Sequence, residues 1–304
     1  MAKILYIQEK SQKYYNSKIL FVMKSKIVVL VAFVFGVFVT ANLISCQKEK
    51  TTTPDISFDY EQIGIEHNKG LDYIFEYLKE KKINKKSALR STTNIFDLIE
   101  QATLSFAKTS KILRNVNHKE LPLTFQNFNR EVLKSAGNNN LTYLINSKIN
   151  LNPSQITFLN ELDNVISNLE IGLELTIEKI KKIELDIISQ CSVDEAKILL
   201  SATSVARYSL EYWTENYEKW IIELGGMEIG AMNELKSISS RGGWDWFCDT
   251  LKSMGKSDVV GGAIGAGVGA LAGGVGAAPG AVAGACYSSA GRGIVALLDH
   301  WEIW

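Results

Sequence analysis

Histidine, cysteine and glycine are the residues of this chain whose placement bears on chemistry. The three histidines, His67, His118 and His300, lie far apart. None stands in His-Glu-x-x-His, and no pair of Cys-x-x-Cys units is present, so the spacing calls for no metal and no cofactor. A Gly-x-Ser-x-Gly elbow is also missing, which removes support for a serine hydrolase. Carboxylate pairs are dense, as on any solvated helical face. His67, in "IGIEHNKGLDYIFEYL" (62–77), has the one distinctive setting. A His-Asn pair at the start of an amphipathic helix can act as ligand or base, although such a histidine more often satisfies a cap. The chain is therefore expected to be no enzyme.

The second feature is "GGAIGAGVGALAGGVGAAPG" (261–280). Its "GVGALA" (267–272) loosely matches Gly-x-Gly-x-x-Ala, but a dinucleotide loop needs a preceding strand inside a βαβ unit. "LKSMGKSDVV" (251–260) supplies none. The glycine register points elsewhere. Gly261, Gly265, Gly269 and Gly273 are four apart, and Gly276, Gly280 and Gly284 repeat the step. Small residues at that interval let two helix backbones approach closely. Ile264, Val268, Leu271 and Val275 stand on the opposite side. No residue from Val259 to Gly291 is charged, and Pro279 interrupts the run, so a hairpin of two short helices is expected. Ser257 and Asp258 read as its start, and Trp301 and Trp304 as aromatic ends suited to a membrane interface. Packing in lipid and packing on the rest of the protein are both open. Cys248 and Cys286 flank the segment and are the sensible pair for a disulfide, with Cys191 left over; three buried or free thiols are the alternative.

The elements that must carry these residues are helical. With four prolines and no alternating apolar run, residues 57–240 read as a bundle. Asn152, Pro153 and Gln155 form a capping signal before "ITFLNELDNVISNLEIGLELTIEKIKKIELDII" (156–188). Leu159, Leu162, Ile166, Leu169, Leu173, Ile177 and Ile180 then make one stripe of a long helix. Ser192 and Glu195 open a second long helix after a short link, so the two should pack antiparallel. Earlier helices are expected near 57–82, 93–114 and 121–136, with 135–140 as a loop. In "YSLEYWTENYEKW" (208–220), Tyr208, Tyr212 and Trp213 fall on adjacent positions of one helical face and read as packing rather than as a carbohydrate- or peptide-binding stripe. The fold class is all-α: a helical bundle with two long antiparallel central helices and a C-terminal glycine-zipper hairpin over 241–304.

The N-terminus reads as an address. Lys24 and Lys26 precede the apolar run 27–39, too short for a membrane span and right for a signal peptide. "LISC" (43–46) resembles a bacterial lipobox, which implies cleavage before Cys46 and lipidation of its thiol. Residues 1–45 then form the signal peptide, with 1–22 a mis-assigned extension if the start is Met23, and 46–56 a polar tether. Residues 1–45 hold six lysines and one glutamate, so the 33 basic and 33 acidic residues become 27 against 32. A mildly acidic body gives no electrostatic reason to expect nucleic acid.

The lipobox, "GIEHNKGLDYI" (64–74), "SVARYSLEYW" (204–213) and the glycine-rich tail are similar to uncharacterised lipoproteins of Bacteroidota. That resemblance implies a helical protein anchored in the cell envelope, on the outer membrane, facing either the periplasm or the exterior. "ELGG" (223–226) before "MEIGAM", with the Gly/Ala-rich segment, resembles class II bacteriocins. It covers only about the last 80 residues, and their leaders are N-terminal. The expected partners are the membrane, through lipidated Cys46, and helices of another protein or a second copy, through the glycine stripe. The expected function is a non-enzymatic, lipid-anchored envelope protein whose hairpin engages membrane or partner helices. A membrane-active, toxin-like protein is the alternative.

Overall fold

The local signals at residues 152 and 192 start two helices in the computed structural model as they do on paper. Asn152 accepts a hydrogen bond from Gln155 N and Gln155 answers its backbone, with Pro153 in the first turn. Ser192 and Glu195 form the same reciprocal box. The structure describes residues 59–83, 92–125, 140–225, 242–271 and 275–300. The signal peptide, Cys46, the tether, Gly273, Trp301 and Trp304 lie outside the described residues, as does most of the expected loop 135–140.

The described elements are α1 (Glu61–Glu80), α2 (Thr92–Ala107), α3 (Pro122–Phe125), α4 (Leu141–Asn146), α5 (Pro153–Ser167), α6 (Leu173–Gln190), α7 (Val193–Glu223), α8 (Gly242–Leu271) and α9 (Ala277–His300). No strand occurs among them, and the fold is an all-α bundle. The second helix is shorter than expected. It ends at Ala107 because the buried Glu66 carboxylate takes the next segment, accepting from Ser110 Oγ at 2.5 Å and Lys111 N at 3.0 Å. The long stripe of 152–188 is also interrupted. A short 3-10 turn, Leu169–Ile171, separates α5 from α6, and Gly172 follows it with φ +96°, a conformation that side-chain-bearing residues resist. Leu159, Leu162, Ile166, Leu169 and Ile180 stay buried across the break.

α6 and α7 pack against each other across the link at Cys191 and Ser192. Arg207 on α7 straps the pair to α1, donating to Glu184 Oε1 at 2.9 Å and Glu61 Oε1 at 2.5 Å. α7 and α1 supply the large core side chains. Trp213 and Trp220 lie 5.0 Å apart, and Phe75 packs 5.4 Å from Trp220.

α8 and α9 form the expected hairpin. Pro279 falls in the first turn of α9, where its missing N–H costs no helical hydrogen bond. Gly276, with φ +85°, turns the chain and donates to Gly269 O at 2.8 Å. The glycines face each other in antiparallel register. A Cβ on Gly280 would lie 2.9 Å from Gly269 Cα and closer still to the Gly265 carbonyl. One on Gly284 would lie 2.5 Å from Gly261 O. The remaining faces are buried against α1 and α7, with Val259, Val260, Ala263, Ile264, Val282 and Ala283 in the core. Val268 is only partly covered and Leu271 is exposed at the hairpin tip.

Two expectations about this segment are corrected. Ser257 and Asp258 do not start a helix; they sit in the middle of α8, which begins at Gly242. Cys248 and Cys286 do not form a disulfide. The register explains why: Cys286 lies on the same level as Gly261, thirteen residues and about 20 Å along α8 from Cys248.

Backbone-to-backbone contact makes a specific prediction. Gly265→Ala and Gly280→Ala should each lower the unfolding free energy by about 1–3 kcal/mol, because the added methyl meets main chain that cannot yield. Gly255→Ala meets only the tip of Leu210 at 3.1 Å, and its gain in helix propensity should leave stability near neutral. Urea midpoints of the three variants check this.

Candidate functional site

His67 and Asp258 come together in the centre of the fold. His67 lies in the second turn of α1 and Asp258 in the middle of α8, and both side chains are wholly buried. His67 Nε2 and Asp258 Oδ2 are 3.9 Å apart. Three donors converge on Oδ2: Ser209 Oγ in a short contact, Ser289 Oγ at 2.7 Å and Trp213 Nε1 at 3.1 Å. Trp213 Nε1 also reaches Ser289 Oγ at 3.0 Å, so α7, α8 and α9 meet at one oxygen.

The imidazole is oriented from its other side. Asn68 Nδ2 donates to the Tyr208 carbonyl at 3.0 Å, which leaves Asn68 Oδ1 to accept from His67 Nδ1–H at 2.9 Å. That places the ring proton on Nδ1 and the free lone pair on Nε2. His67 Nε2 and Asp258 Oδ1 have no hydrogen-bond partner among the described residues. The Cys286 thiol donates to the His67 carbonyl at 3.6 Å.

Burial sets the protonation of each group. Desolvation lowers His67 to about 4, against the pull of its bond to Asn68. Desolvation raises Asp258 to about 7, against the three donors that favour its anion. Burial also pushes the Cys286 thiol well above its ordinary value, with Asp258 and Glu66 adding to the shift. The thiol is inert in that setting.

Serine, histidine and aspartate here do not make a nucleophilic triad. Ser209 and Ser289 donate to the carboxyl group, whereas a nucleophile must donate to the imidazole. Among the described residues, no group of three His, Cys, Asp or Glu can hold a metal. A groove of about 800 Å³ lies elsewhere, over α1, α6 and α7. Its lining carries Asp72, Glu174, Glu178, Glu211 and Glu215 with one lysine, Lys181, and includes Asn68, the side chain that orients His67.

Residues 234–298 match a family of unknown function, DUF6861. The match takes in α8 and nearly all of α9, together with the cluster residues Asp258, Cys286 and Ser289; His67, Ser209 and Trp213 stand outside it. No curated protein matches the chain, and no solved structure does.

Sequence reasoning singled out His67, Cys248, Cys286 and the glycines. It missed Ser209 and Ser289, and it gave Asp258 a capping role. One signal was available: a lone aspartate bordering a 33-residue uncharged stretch is costly to bury and should have a partner. His118 is separate, its Nε2 bonding the Leu113 carbonyl at 2.9 Å.

The thiols test the enclosure of this centre. In a Cys46→Ser background, Cys191, Cys248 and Cys286 should resist a thiol reagent in native buffer. All three should react at once on denaturation, whether or not a reductant was added beforehand. Native reaction of Cys286, or a reductant-dependent thiol count, would contradict the packing.

Proposed function

We propose that this chain is a lipid-anchored bacterial envelope protein without catalytic activity, whose helical domain engages its own glycine hairpin as an internal partner. The lipobox-like "LISC" supports attachment through Cys46, and the polar residues after it suit a tether. The observation that carries the reading is the disposition of the hairpin. Its glycine stripes face each other, and its other faces are covered by α1 and α7. Among the described residues no helix is long and apolar enough to cross a membrane. The lipid rather than the hairpin then supplies membrane attachment, and the bundle presents its acidic groove outside the cytoplasm.

A membrane-active protein is the second reading. It is favoured by one observation: the uncharged end of the hairpin has an open tip, with Leu271 85% exposed and Ala270 and Gly276 also exposed.

Fractionation of cells expressing the full chain with a C-terminal tag tests the first reading. Wild type should sediment with membranes, and Cys46→Ala should lose that attachment while keeping its helical signal. Membrane association that survives Cys46→Ala overturns the anchor. Dye release from liposomes by the folded Cys46→Ala protein would favour the second reading; silence supports the first.

A further inference from the structure

We infer that the enclosed His67–Asp258 pair, where α1 approaches α8, carries one proton in total, so that the pH dependence each group would show alone is cancelled. Both side chains are fully enclosed, and they meet at 3.9 Å. The hydrogen bond to Asn68 leaves Nε2 as an acceptor, and Nε2 faces the carboxyl group. A bare carboxylate there would be a buried anion opposite a lone pair. A protonated imidazole beside a protonated carboxyl would be a buried cation without a counter-charge. One proton on the pair avoids both. It rests on the carboxyl group, since burial lowers the histidine and raises the aspartate.

The surrounding ionisable groups leave the pair to itself. On α1, Glu66 is held by Lys69 at 2.8 Å and by Ser110. On α7, Arg207 is paired with Glu184 and Glu61, Tyr208 donates to Glu61, and Tyr212 donates to Asp72. On α8, Lys256 pairs with Asp163 at 2.9 Å. On α9, Cys286 is a thiol bonded to the His67 carbonyl, and Arg292 donates to Ser253 Oγ at 2.5 Å.

Linkage turns this into a pH signature. A histidine lowered to about 4 gives stability that is present above its ordinary 6.5 and lost as pH falls towards 4. An aspartate raised to about 7 gives stability that is full below its ordinary 3.8 and lost as pH rises towards 7. In the native pair the two slopes oppose. Folded and unfolded chains each bind about one proton over most of that window, so the pair adds almost no pH dependence. The contribution of the pair to stability is therefore steady through mild acid.

Removing either partner exposes the other's slope. Unfolding constants should be measured between pH 4 and pH 7 in urea and divided by the wild-type values, which removes titrations common to all variants. For His67→Gln the ratio should rise with pH, by up to tenfold per unit. For Asp258→Asn it should rise as pH falls from 6.5 to 4, by up to the same factor. The double variant should track wild type. Ratios independent of pH in both single variants overturn the proposal. Nitrogen NMR of the wild-type histidines provides a readout that needs no folded variant. One imidazole, identified against His118→Gln and His300→Gln, should keep its proton on Nδ1 and stay neutral from pH 8 to pH 5. Titration of all three histidines near 6.5 would equally overturn it.

Discussion

The close contact between the glycine faces of α8 and α9 is the constraint on which the rest of the fold depends. Each helical glycine costs about 1 kcal/mol relative to alanine. Gly261, Gly265, Gly269, Gly280 and Gly284 recover this only if their backbones pack tightly. Such packing leaves the glycine part of the hairpin, beyond Asp258 and Arg292, thin, uncharged and poor in large side chains. Its outer faces must then be covered, and the bundle provides the cover. The volume comes from the other side of the interface, where Trp213, Trp220 and Phe75 fill the space that glycine and alanine leave. Gly293 belongs to the same logic: a Cβ there would lie 2.8 Å from the Trp213 ring.

A smooth apolar hairpin on aromatic helices would have little to fix its register. Asp258 supplies that. Its oxygen collects donors from α7 and α9, and its carboxyl faces His67 of α1, so sliding any of these helices by one turn would strand a buried polar group. The cost of burying a carboxyl is offset by three hydrogen bonds and, below about pH 7, by its protonation. Buried polar groups of this kind contribute definition more than stability. In the same geometry the serines are committed to the carboxyl and Asn68 fixes the imidazole from behind.

Local chemistry made much of this architecture legible in the sequence. The capping boxes at 152 and 192 depend on residues three apart, and they form as read. The glycine register and Pro279 specify a hairpin because both act within a few residues. What failed was non-local or depended on backbone conformation. The apolar stripe from Leu159 to Ile180 runs unbroken through Gly172, and only the positive φ there reveals the turn. Asp258 next to Ser257 resembles a cap when its upstream helix is unseen. Cys248 and Cys286 bracket the glycine segment on paper, yet antiparallel register separates them. Ser209 and Ser289 look ordinary in sequence, and their shared partner lies 49 and 31 residues away.

The length of the hairpin bears on what it can do if it ever leaves the bundle. The uncharged part of α8 runs from Val259 to Leu271, about 20 Å of helix, and that of α9 from Ala277 to Gly291, about 22 Å. A hydrocarbon layer is ~30 Å thick. Neither arm crosses it without drawing Asp258 or Arg292 into lipid, and those two residues mark the same end of the hairpin. Glycine and alanine add little transfer energy to meet that cost. The four-residue glycine step is shared with membrane helices because both need close backbones. Here the Asp258 centre ties that step to α7, whose Ser209 and Trp213 satisfy the carboxyl as lipid would not.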